Sequence, residues 1–169
     1  MNKIAQIPEI ARMLEGSSYV DVKIIDGQTS LRRFIAAMLS YYPGWIVFLY
    51  RIRTILVKLL GLYKQPAPAA PPQLGAADVS FVVGEAVSFF TVRLAEEKHY
   101  WVGETPEDKH LTAYFAVVVE PMQANRKRFH VATIVYYKHW TGPLYFNLIR
   151  PFHHLVVGRM MRAGVAGNA

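Results

Sequence analysis

The chain of 169 residues contains no cysteine. That removes disulfides, thiolate nucleophiles and zinc–sulfur sites together. Charge is also scarce: Lys+Arg number 19 and Asp+Glu only 12, together 18% of the residues. No glycine-rich phosphate loop of either common type is present, so nucleotide chemistry has no support and no cofactor is expected. There is no nucleophile elbow and no pair of histidines at zinc-ligand spacing. Ser17, Ser18, Ser80 and Ser88 sit in ordinary strand or turn contexts. Nor is there an uncharged apolar run long enough to cross a bilayer. The best candidate, residues 43–60, is interrupted by Arg51, Arg53 and Lys58, and each such charge costs about 2.5–3.5 kcal/mol at mid-bilayer. Near the N-terminus Glu9, Arg12 and Glu15 break up any leader-like apolar core, so a cytosolic location is expected.

What the chain has in excess is apolar and aromatic side chains, 53% and 13% of the residues. Such a composition points to a large core, an aromatic-lined cavity or contact with lipid. The length is that of one domain, spanning residues 1–169, with a core of useful size. The net charge of +7 is uneven. Residues 1–64 carry nine basic and four acidic side chains, and the remainder ten and eight. A solvated helical face is the commonest cause of such a bias. The aromatic residues fall on strand faces that read as buried and are not interleaved with arginine, so no nucleic-acid partner is expected.

Residues 17–25 alternate, with Tyr19, Asp21 and Lys23 on one side and Val20, Val22 and Ile24 on the other, the pattern of a half-buried strand. After the Asp26-Gly27 turn, Thr29 or Ser30 can cap a helix in which Leu31, Phe34, Ile35, Met38 and Leu39 form one apolar stripe. Pro43-Gly44 ends that helix and opens a second, residues 44–63, with Phe48, Leu49, Ile52, Ile55, Leu56 and Leu59 on a broad apolar arc. That arc fits the sheet, a homodimer partner or a lipid interface, the last because Trp45, Arg51, Arg53, Lys58 and Lys64 accompany it. Residues 65–77 hold four prolines and no charge. They read as a long extended loop inside the domain. From residue 78 the period becomes two, with candidate strands at 79–83, 86–94, 98–103, 110–120 and 127–139 joined by short turns, an antiparallel meander. One face of the last two strands holds Leu111, Ala113, Phe115, Val117 and Val119, and Phe129, Val131, Thr133, Val135, Tyr137 and His139. The opposite faces hold Tyr114, His130 and Tyr136, among others. Thr141 is placed to cap a final helix, Pro143 to lie in its first turn, and Pro151 to bend it. Phe152, Leu155, Val156 and Met160 then form its apolar stripe. A curved sheet with one apolar face needs a cover, and this helix is the available one.

That order of elements resembles the helix-grip architecture of the START-like (polyketide-cyclase-like, SRPBCC) superfamily, an α+β fold in which a strongly curved antiparallel sheet holds a long C-terminal helix. More narrowly, His110-Leu111, His139, Gly142, Tyr145 and Pro151-Phe152-His153 resemble a bacterial family known only as a domain of unknown function. The likeness covers residues 17–163, and the superfamily fold it implies leaves the activity open.

Clustered histidines invite an acid–base or metal role, and His110, His139 and His153 are the candidates because the last strand and last helix adjoin. No metal-ligand spacing supports a metal. His153 and His154 project about 100° apart on a helix, so they are expected not to share a site, with His153 bonded to a turn or backbone carbonyl and His154 solvated. The leading expectation is non-catalytic binding of a hydrophobic or amphipathic small molecule between sheet and C-terminal helix. Its expected lining is Tyr114, Phe115, Val117, Thr133, Val135, Tyr137, His139, Tyr145, Phe152, Val156 and Met160. The alternatives are a small enzyme acting on an apolar substrate, with His139 or His153 as acid/base and Tyr137 or Tyr145 as partner, and a membrane-peripheral module built on residues 44–63.

Overall fold

The computed structural model describes residues 3–59, 73–106 and 110–166. Among these, the period-two segments form one six-stranded sheet, every adjacent pair antiparallel. The strands are β1 (Tyr19–Gly27), β2 (Ala86–Val87), β3 (Phe90–Glu96), β4 (Tyr100–Glu104), β5 (Leu111–Pro121) and β6 (Lys127–Tyr137), in the order β1-β6-β5-β4-β3-β2. The first strand therefore pairs with the last and forms one edge. The β5–β6 hairpin turns through Ala124 and Asn125, both in the left-handed region, which matches the strand twist. A bulge between Val92 and Leu94 interrupts the β3–β4 register and adds curvature.

Two strand expectations are corrected. Residues 79–83 follow a 3-10 turn, Ala76–Asp78, and form no strand. They are pinned instead by the Trp101 indole N–H, which donates to the Ser80 carbonyl at 3.1 Å. The expected strand 86–94 is divided at Ser88, whose φ of 56° no strand tolerates. The long-loop expectation for residues 65–77 falls largely outside the described residues.

α2 (Leu31–Leu39) forms where its stripe requires, and all five of its expected core residues are buried. Ser30 Oγ accepts from the Arg33 N–H at 3.3 Å, so it is Ser30 that caps the helix. α3 (Gly44–Leu59) follows. α4 (Thr141–Ala166) runs unbroken through Pro151. The carbonyl that Pro151 leaves unpaired belongs to Asn147, on the exposed side where water can serve it.

α2 and α4 cover one face of the sheet. Phe34 stacks on Phe129 with ring centroids 4.1 Å apart. Phe90, Trp101, Phe115, Val117, Val131, Val157 and Met161 join them in one buried cluster. Gly164 lets α4 approach α2: a Cβ there would lie 2.7 Å from the Phe34 ring. Trp101 lies against Gly103 on the same strand face, where a Cβ would meet its ring at 2.4 Å. The sheet's other face has a cover that the sequence pattern did not reveal. A 3-10 turn (Lys3–Gln6) and α1 (Pro8–Glu15) bring Ile4 and Ile10 onto Val102, Ala116, Val118, Ala132 and Ile134. No helix among the described residues is long and apolar enough to cross a membrane.

Candidate functional site at the seam between the edge strand and the last helix

The polar face of β1 settles the geometry. Register pairs Tyr19 with Val135, Asp21 with Thr133 and Lys23 with Val131. Side chains alternate across a strand, so these three residues share the face of Thr133 and Val135, beneath α4. Val20 and Ile24 turn outward and are exposed. β1 thus sends its charged side toward the helix, where an apolar one would pack better.

α4 answers with histidines. The His154 Nδ1 lies 3.0 Å from Lys23 Nζ and 3.1 Å from Asp21 Oδ2, and its Nε2 lies 3.2 Å from the Tyr19 hydroxyl. Lys23 and Asp21 are themselves paired at 3.0 Å. One nitrogen cannot accept from an ammonium and donate to a carboxylate at once. His154 therefore has two tautomers with different partners, one donating to Tyr19 and the other accepting from it. The His153 Nε2 meets Thr133 Oγ1 at 3.0 Å. Burial lowers the His153 pKa to about 4, and the neighbouring His154 adds to that effect, so the ring is neutral at pH 7. Burial, and next the Asp21 carboxylate, raise the Tyr19 pKa, which keeps the phenol protonated. The Arg150 guanidinium lies over the Tyr19 ring, 6.0 Å from its centroid. Phe146 is the apolar hub, with ring centroids 4.7 Å from Tyr19 and 6.2 Å from both Tyr137 and His153.

Two histidine expectations are overturned here. His153 and His154 straddle the helix face that rests on β1 and β6, so an angle of about 100° aims both at the seam. His154 lies within hydrogen-bond reach of three side chains and engages two at a time, and His153 binds a hydroxyl rather than a backbone carbonyl. The apolar stripe expected for the last helix is also displaced. Phe152 and Leu155 are exposed, and the buried line runs through Tyr145, Phe146, Val157, Met161 and Gly164. The helix is apolar on several faces, and periodicity alone does not choose among them.

His139 lies elsewhere, in the turn before α4. Its Nδ1 accepts from the Thr141 N–H at 3.4 Å and lies 3.0 Å from Thr141 Oγ1, while His110 Nδ1 reaches the same hydroxyl at 2.8 Å. His139 thus serves the N-terminus of α4, and Thr141 joins two histidines instead of capping the helix. Tyr114 is on the opposite face, bonded to Glu104 at 3.1 Å and edge-on to Tyr136. On that face too, His130 bonds Glu120 at 3.0 Å while its buried Nδ1 has no hydrogen-bond partner among the described residues.

Of the expected lining, Thr133 and Tyr137 reach the seam, the first through His153 and the second through Phe146. Val135 and Tyr145 are buried, Phe115 and Val117 belong to the main core, and Met160 packs against it. Val156 is half-buried, and Phe152 points outward. Tyr19, Asp21, Lys23, Arg150 and His154 were missed. The signal for the first three was the unbroken polar face of residues 19–23, which means something only once β1 is known to pair with β6. A separate cleft of about 500 Å³ lies outside α2, lined by Arg33, Ser40, Tyr41, Gln73 and neighbouring small residues.

The architecture and seam define an α+β protein of helix-grip type with a polar strip at the sheet edge. Residues 13–160 match the family DUF2867, described as a protein of unknown function, and the chain belongs to that family. No curated protein matches it. Among solved structures it is similar to norcoclaurine synthase from Thalictrum flavum in complex with dopamine and hydroxybenzaldehyde, at 14% identity and a TM-score of 0.43, covering 94% of this chain and 92% of that one. It is also similar to Ara h 8.0201, at 7% identity and a TM-score of 0.41, covering 88% and 98%.

Proposed function

We propose that this protein binds an amphipathic small molecule at the seam between β1, β6 and α4. The apolar body of the ligand lies along Val135, Tyr137, Tyr145 and Phe146, and its polar group meets Tyr19, Lys23, His153 and His154. The observation that carries this is the charged inner face of β1. Drawing Asp21, Lys23 and two histidines partly out of water costs stability that an apolar seam would not, which favours recognition as their role. Lys23 and Arg150 outnumber Asp21, so an acidic head group is preferred to a neutral one. Titrating the protein with decanoate and with decanol, followed by amide shifts in residues 133–137 and 145–157, tests this. Decanoate is expected to bind about tenfold more tightly, and Lys23→Met to remove the difference. Absence of shifts with both ligands, together with no apolar molecule extracted from the purified protein, would overturn the proposal.

Proton transfer is a second reading, favoured by the continuous chain Asp21–His154–Tyr19 with neutral His153 beside it. Tyr19 would donate a proton to a carbonyl oxygen while a histidine accepts one from the adjacent carbon. Wild-type protein is then expected to catalyse deuterium uptake next to the carbonyl of an aryl ketone in heavy water. Tyr19→Phe should cut the rate about a hundredfold. Uptake no faster than in buffer rejects catalysis and leaves binding intact.

A further inference from the structure

The outward faces of α3 and α4 combine exposed large apolar side chains with cations. On α4 the exposed large apolar side chains are Leu144, Leu148, Phe152 and Leu155, between 37% and 52% accessible. Arg159 and Arg162, also exposed, follow them. At about 100° per residue all six project within an arc of roughly 80°. They form one stripe along the helix, apolar first and cationic after. Trp140, 76% accessible, stands just before the helix begins. On α3, which touches α4, the exposed positions include Phe48, Arg51, Ile55 and Lys58, again within an arc of roughly 80°. Phe48 and Ile55 are 62% and 58% accessible.

Neither helix contains a single Asp or Glu. Among the described residues no carboxylate pairs with Arg51, Lys58, Arg159 or Arg162. A face that only had to be soluble would mix both signs and hide its large apolar groups. Exposed apolar side chains interspersed with unneutralised cations are what a lipid interface requires: apolar groups enter the acyl boundary and cations sit among acidic head groups. A second copy of the chain is a poorer occupant, because two such faces would set cation against cation.

We infer that the outer faces of α3 and α4 dock this protein onto an anionic membrane surface. The docking face and the seam lie on different sides of α4, so this inference stands without the ligand proposal. Flotation of the full chain with vesicles of phosphatidylcholine, and of phosphatidylcholine mixed with phosphatidylserine, tests it. The chain is expected to float with the mixed vesicles at low salt and to be released as salt rises. Arg159→Glu with Arg162→Glu should weaken binding at least tenfold, about fivefold for each cation removed. Leu148→Ser with Leu155→Ser should weaken it tenfold or more without altering far-UV circular dichroism, since both side chains already face water. No flotation at low salt, or flotation unchanged by the paired arginine substitutions, overturns the inference. So does a dimer in sedimentation velocity that the leucine substitutions dissociate while vesicles capture nothing; the face would then be an interface between copies.

Discussion

Replacing Phe34 by alanine is expected to destabilise the protein by about 3–5 kcal/mol. Three contacts meet at this ring. It is fully buried, it stacks on Phe129 of β6, and the Gly164 backbone of α4 presses against it. Truncation forfeits the transfer free energy of a benzyl group and leaves a cavity that little can fill. Gly164 has no side chain to move in, and Phe129 is held in the register of a six-stranded sheet. The loss is a large share of the roughly 5–15 kcal/mol that stabilises a domain. Urea denaturation of wild-type and Phe34→Ala protein measures it from the midpoints at a common slope. A loss under about 1 kcal/mol would show that α2 and α4 collapse onto the vacancy and that their contact is not rigid. The outcome bears on function, because the contact that seats α4 at Gly164 also sets how its histidines lie over β1.

The second large effect is a dependence on pH centred on His153. Its folded pKa is about 4, against 6.5 for the unreacted ring. Between these values the unfolded chain binds a proton that the folded chain does not, so stability rises with pH. The contribution is full above about pH 6.5, declines as pH falls towards 4 and is lost below. At about 1.36 kcal/mol per pKa unit, the decline amounts to roughly 2–3 kcal/mol after allowance for partial access of water. Unfolding free energies at several pH values between 7.5 and 4 should show it. His153→Asn keeps a neutral partner for Thr133 and removes the titration, so its profile should be flatter across that range. An unchanged slope in the variant would show that the dependence does not arise at His153. His153 resists protonation because water is largely excluded from it and because His154 lies beside it.

How much of this was legible in the residues depends on whether one element or two were involved. α2 could be read in full, because Leu31, Phe34, Ile35, Met38 and Leu39 make a narrow stripe beside a polar remainder, and only one orientation buries it. β5 and β6 could be read face by face for the same reason. Tyr114 was misassigned to the ligand lining although its strand parity opposes Phe115, and the structure puts it with Glu104 and Tyr136 on the far face. α4 could be found but not oriented. Its apolar residues surround it, so burial of Phe146 and Val157 and exposure of Phe152 and Leu155 follow from which residues α2 and β1 present, a matter of contact and not of period. α1 is amphipathic and opens on Pro8, but its eight residues gain their value only from the sheet face they cover, which the local pattern does not show.

The seam is the clearest case of the difference. Tyr19, Asp21 and Lys23 read as a solvent face when β1 is taken alone, since charge normally turns outward. Only its pairing with β6, more than a hundred residues away, turns that face under α4, and only α4's rotation delivers His153 and His154 to it. Local chemistry determined α2 and its Ser30 cap, the alternating faces of β5 and β6 and the lack of any thiol, because each depends on neighbours a few residues apart. The charged seam and the outward apolar stripe were decided by tertiary structure. Each depends on which of two permissible faces a distant element happens to meet, and that choice is made by the packing energy of the whole fold.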